Sequence, residues 1–166
     1  MKTNIVVIAH NLRSCHNVGS LLRTCEGIKV EKVILSGYTP YPKVENDKRM
    51  PHIASKIDKQ IKKTALGAES TQRWEKVDEI TPVLNKLGAE GYVICALEQA
   101  EDSKPLPEFN VPDKVACVIG NEVEGLEKEV LKQADYVLEI PMLGTKESFN
   151  VVQAAAMALY HFRFFR

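Results

Sequence analysis

The chain has 166 residues, of which 27% are charged and 45% hydrophobic, and its formal net charge is zero. This length and composition predict a single folded domain over residues 1–166 and exclude a disordered chain. The balanced charge excludes a uniformly basic surface, and the sequence has neither a signal peptide nor an apolar run of the roughly 18 residues that a membrane span needs.

A βαβ unit is predicted at the start of the chain. The apolar run Asn4–Ala9 is typical of a strand buried on both faces. Asn17 is placed to cap a helix whose apolar residues keep helical spacing from Val18 to Ile28, and Lys32–Leu35 follows as a second strand. Such a unit predicts a parallel sheet. Arg23 lies beside the apolar stripe and is a candidate for binding a phosphate or carboxylate.

The stretch Gly37–Glu69 is irregular, and we expect a long loop there. Between Tyr41 and Lys63 it holds seven Lys or Arg and three acidic residues. A basic loop with aromatic residues and a histidine suits a nucleic-acid backbone, and a solvated surface loop is the alternative. The candidate phosphate-binding residues are Lys56, Lys59, Lys62 and Lys63.

The rest of the chain alternates short strands and helices. Strands are predicted at Arg73–Val77, Tyr92–Leu97, Val115–Ile119 and Tyr136–Ile140. Helices are predicted at Asp78–Leu87 and Glu127–Ala134, with a loop at Glu98–Pro112. The pattern predicts an α/β fold with an open, mostly parallel sheet and helices on both faces, whose ligands bind beyond the carboxyl ends of the strands.

A last helix is predicted to begin with polar residues. Pro141 and Gly144 end the preceding strand, and Ser148 stands at the N-cap position with Asn150 two residues later. The apolar residues that follow form one helical face. A helix start carries free N–H groups and partial positive charge and can hold a ligand, although a plain capped helix is the alternative.

The turn Gly120–Gly125 follows a buried strand but matches neither the G-x-G-x-x-G fingerprint nor a P-loop. Glu122 and Glu124 would repel a pyrophosphate and would better receive a hydroxyl or an amino group. This disfavours NAD and ATP and favours a cofactor without phosphates.

The cysteines show no paired spacing: they are Cys15, Cys25, Cys95 and Cys117. We interpret them as reduced thiols of a cytoplasmic protein. Cys15-His16 has no second ligand pair, so no metal is expected.

Three segments resemble motifs of the SpoU/TrmH group of SPOUT RNA methyltransferases, in the same order and spacing. They are N-V-G-S-L-L-R-T-C at Asn17–Cys25, I-G-N-E-V-E-G-L at Ile119–Leu126 and I-P-M-L-G-T-K-E-S-F-N-V at Ile140–Val151. Phe149 stands where that group commonly has Leu, and Val123 where it commonly has Gly. Neither departure removes a polar residue.

The resemblance implies S-adenosylmethionine as cofactor and methyl transfer to a ribose 2′-hydroxyl of tRNA or rRNA. It also implies a SPOUT-type fold with a C-terminal trefoil knot and a homodimer. The implied cofactor-binding residues are Leu97, Gly120, Ile140, Met142 and Ser148. The implied catalytic residues are Asn17, Arg23, Glu122, Ser148 and Asn150.

Other functions remain open at this point. A non-catalytic RNA-binding protein of the same fold is the main alternative, and a dehydrogenase-like enzyme is opposed by the missing phosphate fingerprint. Because no separate RNA-binding domain is evident in the sequence, tRNA is expected as substrate more than rRNA. Phe162, Phe164 and Phe165 carry more aromatic surface than one helix face buries, which favours a dimer interface with a shared site over a role in completing the monomer's core.

Overall fold

The computed structural model describes residues 3–165 and contains a seven-stranded sheet in which every ladder is parallel. Its strands are β1 Asn4–His10, β2 Lys32–Ser36, β3 Trp74–Val77, β4 Val93–Leu97, β5 Lys104–Pro105, β6 Lys114–Ile119 and β7 Tyr136–Glu139. Their order across the sheet is β3-β2-β1-β6-β4-β7-β5. The predicted fold class is thereby confirmed, while Arg166, the last residue of the predicted aromatic segment, lies outside the described residues.

Helices cover both faces of the sheet. They are α1 Cys15–Ile28, α2 Pro51–Ala65, α3 Ala68–Thr71, α4 Thr81–Ala89, α5 Lys128–Leu131 and α6 Val151–Phe164, with a 3₁₀ turn at Leu106–Glu108. No helix within residues 3–165 combines the length and the apolar character needed to cross a membrane.

Alternate residues of β1 enter two separate cores. Ile5 and Val7 face the core shared with α1, α2 and α6, whereas Val6 and Ile8 face the core shared with α4 and α5. All four side chains are at most 2% exposed. A strand buried on both faces must be apolar at every position, which explains the continuous apolar run.

The prediction of a loop over residues 37–69 is wrong for its second half, which forms helix α2. Pro51 occupies its first turn, where a missing N–H costs nothing. The buried face of the helix consists of Ala54, Asp58, Ile61 and Ala65. Asp58 interrupts this apolar stripe, and its carboxylate accepts a hydrogen bond from the backbone N–H of Lys43 at 2.9 Å.

Two predicted helix caps are shifted. Ser14, and not Asn17, caps α1: its hydroxyl accepts the N–H of Asn17 at 3.2 Å. Asn150, and not Ser148, caps α6, accepting the N–H of Val152 at 2.9 Å. Asn17 therefore lies inside the first turn of α1.

The strand order creates a crevice at one edge of the sheet. The chain runs outward from β1 to β3, crosses to β4, and later inserts β6 between β1 and β4. In open parallel sheets, ligands bind beyond the carboxyl ends of strands at such a switch in direction. The trefoil knot stays a prediction, because strand order and register do not describe how the loops thread.

Helices α1 and α2 approach closely at Gly19. A Cβ atom there would collide with the carbonyl oxygen of Ile61 and the hydroxyl of Thr64. The same hydroxyl donates to the carbonyl of His16 at 2.8 Å. The contact fixes the first turn of α1 against α2.

We predict that Gly19→Ala destabilises the protein, whereas Gly27→Ala in the same helix does not. The first change forces the helices apart and costs about 1–3 kcal/mol, as overpacking does. At Gly27 nothing lies within 4 Å of an added Cβ, so helix propensity should stabilise by up to about 1 kcal/mol. Urea unfolding measures both; equal midpoints for the two variants would contradict the proposed close contact.

Candidate active site

The side chain of Asn121 joins the loops that follow β1, β2 and β6. Its amide nitrogen donates to the carbonyl of Asn11 at 3.1 Å and to the hydroxyl of Tyr38 at 2.8 Å. Its oxygen accepts the N–H groups of Val123 at 2.8 Å and Glu124 at 3.0 Å. All four hydrogen-bonding positions of this 7% exposed amide are filled, so the turn after β6 has a fixed position.

Glu122, the next residue, binds the start of α1. Its carboxylate accepts the backbone N–H of Arg13 at 2.9 Å, that of Ser14 at 3.0 Å and the amide of Asn17 at 3.0 Å. Burial alone would raise the pKa of Glu122, but these donors outweigh it and hold the pKa below its ordinary value. Glu122 is therefore ionised at neutral pH.

Asn150 completes the polar cluster from the start of α6. Its amide nitrogen lies 3.4 Å from the side-chain oxygen of Asn17, while its own oxygen caps the helix. The amide of Asn17 thus points its nitrogen to Glu122 and its oxygen to Asn150. Three predicted catalytic residues come together, and Ser148 lies two residues before Asn150 in the adjoining loop.

A cleft of about 310 Å³ opens beside this cluster, beyond the ends of β4, β6 and β7. Its apolar lining includes Leu138 and Val151, and Ala154 faces it from α6. The predicted cofactor residues that line it are Leu97, Gly120, Ile140 and Ser148. Met142 is not among the lining residues, so the structure does not bring it to this cleft.

Carboxylates dominate the charge of the cleft. No Lys or Arg within residues 3–165 lines the cleft. The acidic residues that line it are Glu98, Glu122, Glu139 and Glu147. A phosphate-bearing cofactor would meet net negative charge here. A cofactor that carries a positive charge and ribose hydroxyls suits the same lining.

Gly120 is required by the turn itself. An added Cβ would lie 2.7 Å from the carbonyl group of Gly125. On the other side of the turn, the carboxylate of Glu98 accepts the N–H of Leu126 at 3.0 Å. A larger side chain at position 120 would disturb this packing, so such a variant could not report on ligand binding alone.

Arg23 is separate from the polar cluster of its own chain. It lies six residues after Asn17 on α1, about 9 Å along the axis and about a third of a turn around it. It lines a shallow surface groove with Ser20, Thr24 and Thr64. Its guanidinium has neither a hydrogen bond nor an ion pair with residues 3–165.

Three of the four candidate lysines share one exposed face of α2. Lys56, Lys59 and Lys63 follow His52 at helical spacing, so the four side chains form one stripe. Lys62 differs, because its ammonium group pairs with Asp58 at 2.6 Å. We name the exposed set His52, Lys56, Lys59 and Lys63 the basic stripe.

Sequence reasoning missed Asn121 and Glu98, which hold the turn after β6. Asn directly after a strand-ending glycine is a signal for a side-chain-capped turn, and it could have indicated Asn121. Nothing local indicates Glu98, because its partner Leu126 is 28 residues away.

The chain is similar to known RNA methyltransferases along nearly its whole length. The sequence model described as the SpoU rRNA Methylase family matches residues 4–160. The 23S rRNA (guanosine-2′-O-)-methyltransferase RlmB of Neisseria meningitidis is 31% identical over 93% of this chain and 56% of its own length. The tRNA (guanosine(18)-2′-O)-methyltransferase of Aquifex aeolicus is 28% identical over 95% of this chain and 67% of its own length.

A solved structure shares the fold. The SpoU methyltransferase AviRb from Streptomyces viridochromogenes, in complex with AdoMet, aligns with a TM-score of 0.79 at 21% identity over 98% of this chain and 57% of that one. The chain thus spans about half to two thirds of the length of these proteins.

We predict that Glu122→Gln lowers stability at neutral pH by about 1 kcal/mol, because an amide cannot accept all three hydrogen bonds. The contribution of Glu122 should be complete above the ordinary pKa of a glutamate and should disappear as pH falls through its lower folded-state pKa. Urea unfolding of Glu122→Gln between pH 7 and pH 3 should therefore show a weaker pH dependence than wild type. The exposed neighbour Glu124 provides the control, and a Glu124→Gln variant with the same loss would refute the assignment.

Proposed function

Because the chain belongs to the SpoU rRNA Methylase family, we propose that it is an S-adenosylmethionine-dependent RNA methyltransferase acting on a ribose 2′-hydroxyl of tRNA or rRNA. The observation that carries the proposal is the cluster of Asn17, Glu122 and Asn150 beside a phosphate-repelling cleft. The names of two relatives specify 2′-O-methylation of guanosine in rRNA and tRNA. A non-catalytic RNA-binding protein would have no need to retain this cluster and cleft together.

The cleft suits S-adenosylmethionine in its apolar lining and its charge. Its apolar walls suit an adenine, its carboxylates suit ribose hydroxyls and an amino group, and its negative charge favours a sulfonium. When bound, the cofactor supplies a methyl group that is already activated for transfer. Ser148 and Ala154 would border it from the α6 side.

Glu122 positions other groups in this proposal and does not accept the hydroxyl proton. Its lowered pKa makes it a weak base, and three of its acceptor sites are already used. It holds Asn17 in one orientation, so that Asn17 and Asn150 present amides of fixed direction. Such groups can align a ribose without reorganising during the reaction.

Arg23 is assigned an electrostatic role. A guanidinium keeps its proton at neutral pH, so it suits binding of the phosphate next to the ribose and stabilisation of the developing alkoxide. Since Arg23 lies away from the cluster in its own chain, we propose that it serves the site of a second copy.

A homodimer would provide that copy. Among the aromatic residues predicted for this interface, the prediction is wrong for Phe162, because it is buried in the core of its own chain. Phe164 and Phe165, with Tyr160, are each more than half exposed at the end of α6. Tyr160 and Phe165 border an apolar groove together with Met157 and Leu106, and Phe164 packs against Tyr160. Burial of this surface between two copies would remove the patch from water.

The target RNA is proposed to be tRNA in preference to rRNA. The basic stripe supplies a local positive surface of about 16 Å along α2 in a chain of zero net charge. Mass mapping of ribose methylation on RNA from a deletion strain tests the activity and identifies its target.

A cytoplasmic location remains part of the proposal. The thiols of Cys25, Cys95 and Cys117 are free, and burial raises the pKa of each.

The cofactor assignment predicts that Ala154→Leu weakens S-adenosylmethionine binding at least ten-fold, because the side chain fills part of the cleft. Gln153→Leu, on the exposed side of the same helix, should bind as wild type does. Isothermal titration calorimetry measures both variants, with NADH as the comparison ligand. Binding of NADH in place of S-adenosylmethionine would favour the dehydrogenase alternative and refute the assignment.

The basic stripe predicts salt-dependent RNA binding. Replacing Lys56, Lys59 and Lys63 by Ala should weaken binding of total tRNA and reduce the slope of log K against log salt by roughly one unit per lysine. Lys62→Ala should have a smaller effect, because that ammonium is already paired with Asp58. Fluorescence anisotropy from 50 to 200 mM salt measures the slopes, and an unchanged slope in the triple variant would show that the stripe is only solvated.

The shared site predicts complementation between two inactive variants. Arg23→Ala removes the guanidinium, and Asn150→Ser removes an amide while retaining a hydroxyl that can cap α6. Mixed dimers contain one site with every group intact and should recover up to about half of the wild-type activity per mixed dimer. Native mass spectrometry verifies subunit exchange; mixed dimers that stay inactive would place Arg23 in the site of its own chain.

A further inference from the structure

Tyr38 has an exposed aromatic ring that is not part of the aromatic surface at the end of α6. Four of the six exposed aromatic side chains within residues 3–165 pack with α6 directly or through Phe109: Tyr136, Tyr160, Phe164 and Phe165. A fifth, Phe149, lines the cofactor cleft. Tyr38 is 58% exposed and belongs to neither surface.

The ring of Tyr38 is held in place although it is exposed. Its hydroxyl accepts the amide of Asn121 at 2.8 Å, and its backbone N–H donates to the side chain of Asn11 at 3.1 Å. The preceding Gly37 has a φ of +65°, and its carbonyl accepts the ammonium of Lys76 at 2.7 Å. An aromatic ring fixed at both ends loses little conformational entropy when it binds a ligand.

The ring of Tyr38 lies near the polar cluster of Asn17, Glu122 and Asn150. Asn121, which binds its hydroxyl, directly precedes Glu122, so the hydroxyl lies within roughly 10 Å of the Glu122 backbone. The loops after β1 and β2 interlock here, since the N–H of Leu12 donates to the hydroxyl of Thr39 at 3.0 Å. The loop after β1 also carries Arg13, whose exposed guanidinium has no hydrogen bond or ion pair within the described chain.

We propose that Tyr38 is a stacking platform for an unpaired RNA base next to the nucleotide that enters the site, and that Arg13 binds a neighbouring phosphate. The inference rests on the proposed RNA substrate and specifies how the RNA is held. RNA is recognised mainly through unstacked bases placed on aromatic side chains, with cations on the backbone. A second protein copy could also cover an exposed tyrosine, but the free guanidinium of Arg13, on the loop that is hydrogen-bonded to Thr39, favours a polyanion.

The test compares two single-stranded 12-nucleotide RNA probes, one of adenosine and one of abasic ribose phosphate, by fluorescence anisotropy. Wild type should bind the adenosine probe roughly ten-fold more tightly, because stacking needs a base. Tyr38→Phe keeps the ring and should keep this preference, whereas Tyr38→Leu should abolish it. Arg13→Ala should weaken binding of both probes equally and lower the salt slope by about one unit.

Each other outcome is decisive. Preference retained in Tyr38→Leu, or absent in wild type, overturns the proposal. If Tyr38→Phe and Tyr38→Leu lose the preference for the adenosine probe equally, the hydroxyl acts only by holding Asn121, and this result also overturns the proposal. A change of oligomeric state in Tyr38→Leu, measured by sedimentation, identifies a protein contact instead. Base-dependent binding without methyl transfer to any RNA would refute the proposed function while leaving the stacking platform intact.

Discussion

Parallel pairing of all seven strands is the constraint on which the rest of this structure depends. Parallel strands bring their carboxyl ends to one edge, so loops distant in sequence must meet there and satisfy one another's polar groups. The amide of Asn121 does this for three loops, and Glu122 does it for the start of α1. The site is thus made largely from interactions that the fold requires in any case.

The electrostatics of the edge divide it into two regions. The cleft beyond β4, β6 and β7 has four carboxylates in its lining, while the cations lie outside it on α2, at Arg13 and at Arg23. This separation suits the proposed combination of a cationic cofactor and a polyanionic substrate in one domain of zero net charge. A carboxylate fixed by three donors also keeps its charge and direction whether or not ligands are present.

Much of the fold could be predicted because each central strand is a continuous apolar run bounded by polar loops. The family resemblance grouped Glu122 and Asn150 with Asn17, and in the structure both side chains contact Asn17. Helix α2 was not predicted from the sequence, because Asp58 interrupts its buried apolar stripe. Its lysines are typical of a loop as well as of a solvated helix face. The role of Asn121 in joining the loops was not predicted, because its partners Asn11 and Tyr38 are 110 and 83 residues away in the sequence. The separation of Arg23 from the cluster follows from the direction of α1, which periodicity alone does not relate to other elements.

The polar cluster joins residues that are far apart in the chain: Glu122 binds Asn17 across 105 residues, and Asn150 approaches Asn17 across 133. Closing loops of this length costs entropy before any local contact compensates for it, so we expect these bonds to form late and the chain to fold slowly. Partly folded chains that already contain the β1–α1–β2 unit would have no site. Activity should therefore appear only after α6 has docked against α1 and the proposed dimer has formed. A refolding experiment that follows activity would report on these last steps and not on the formation of the β1–α1–β2 unit.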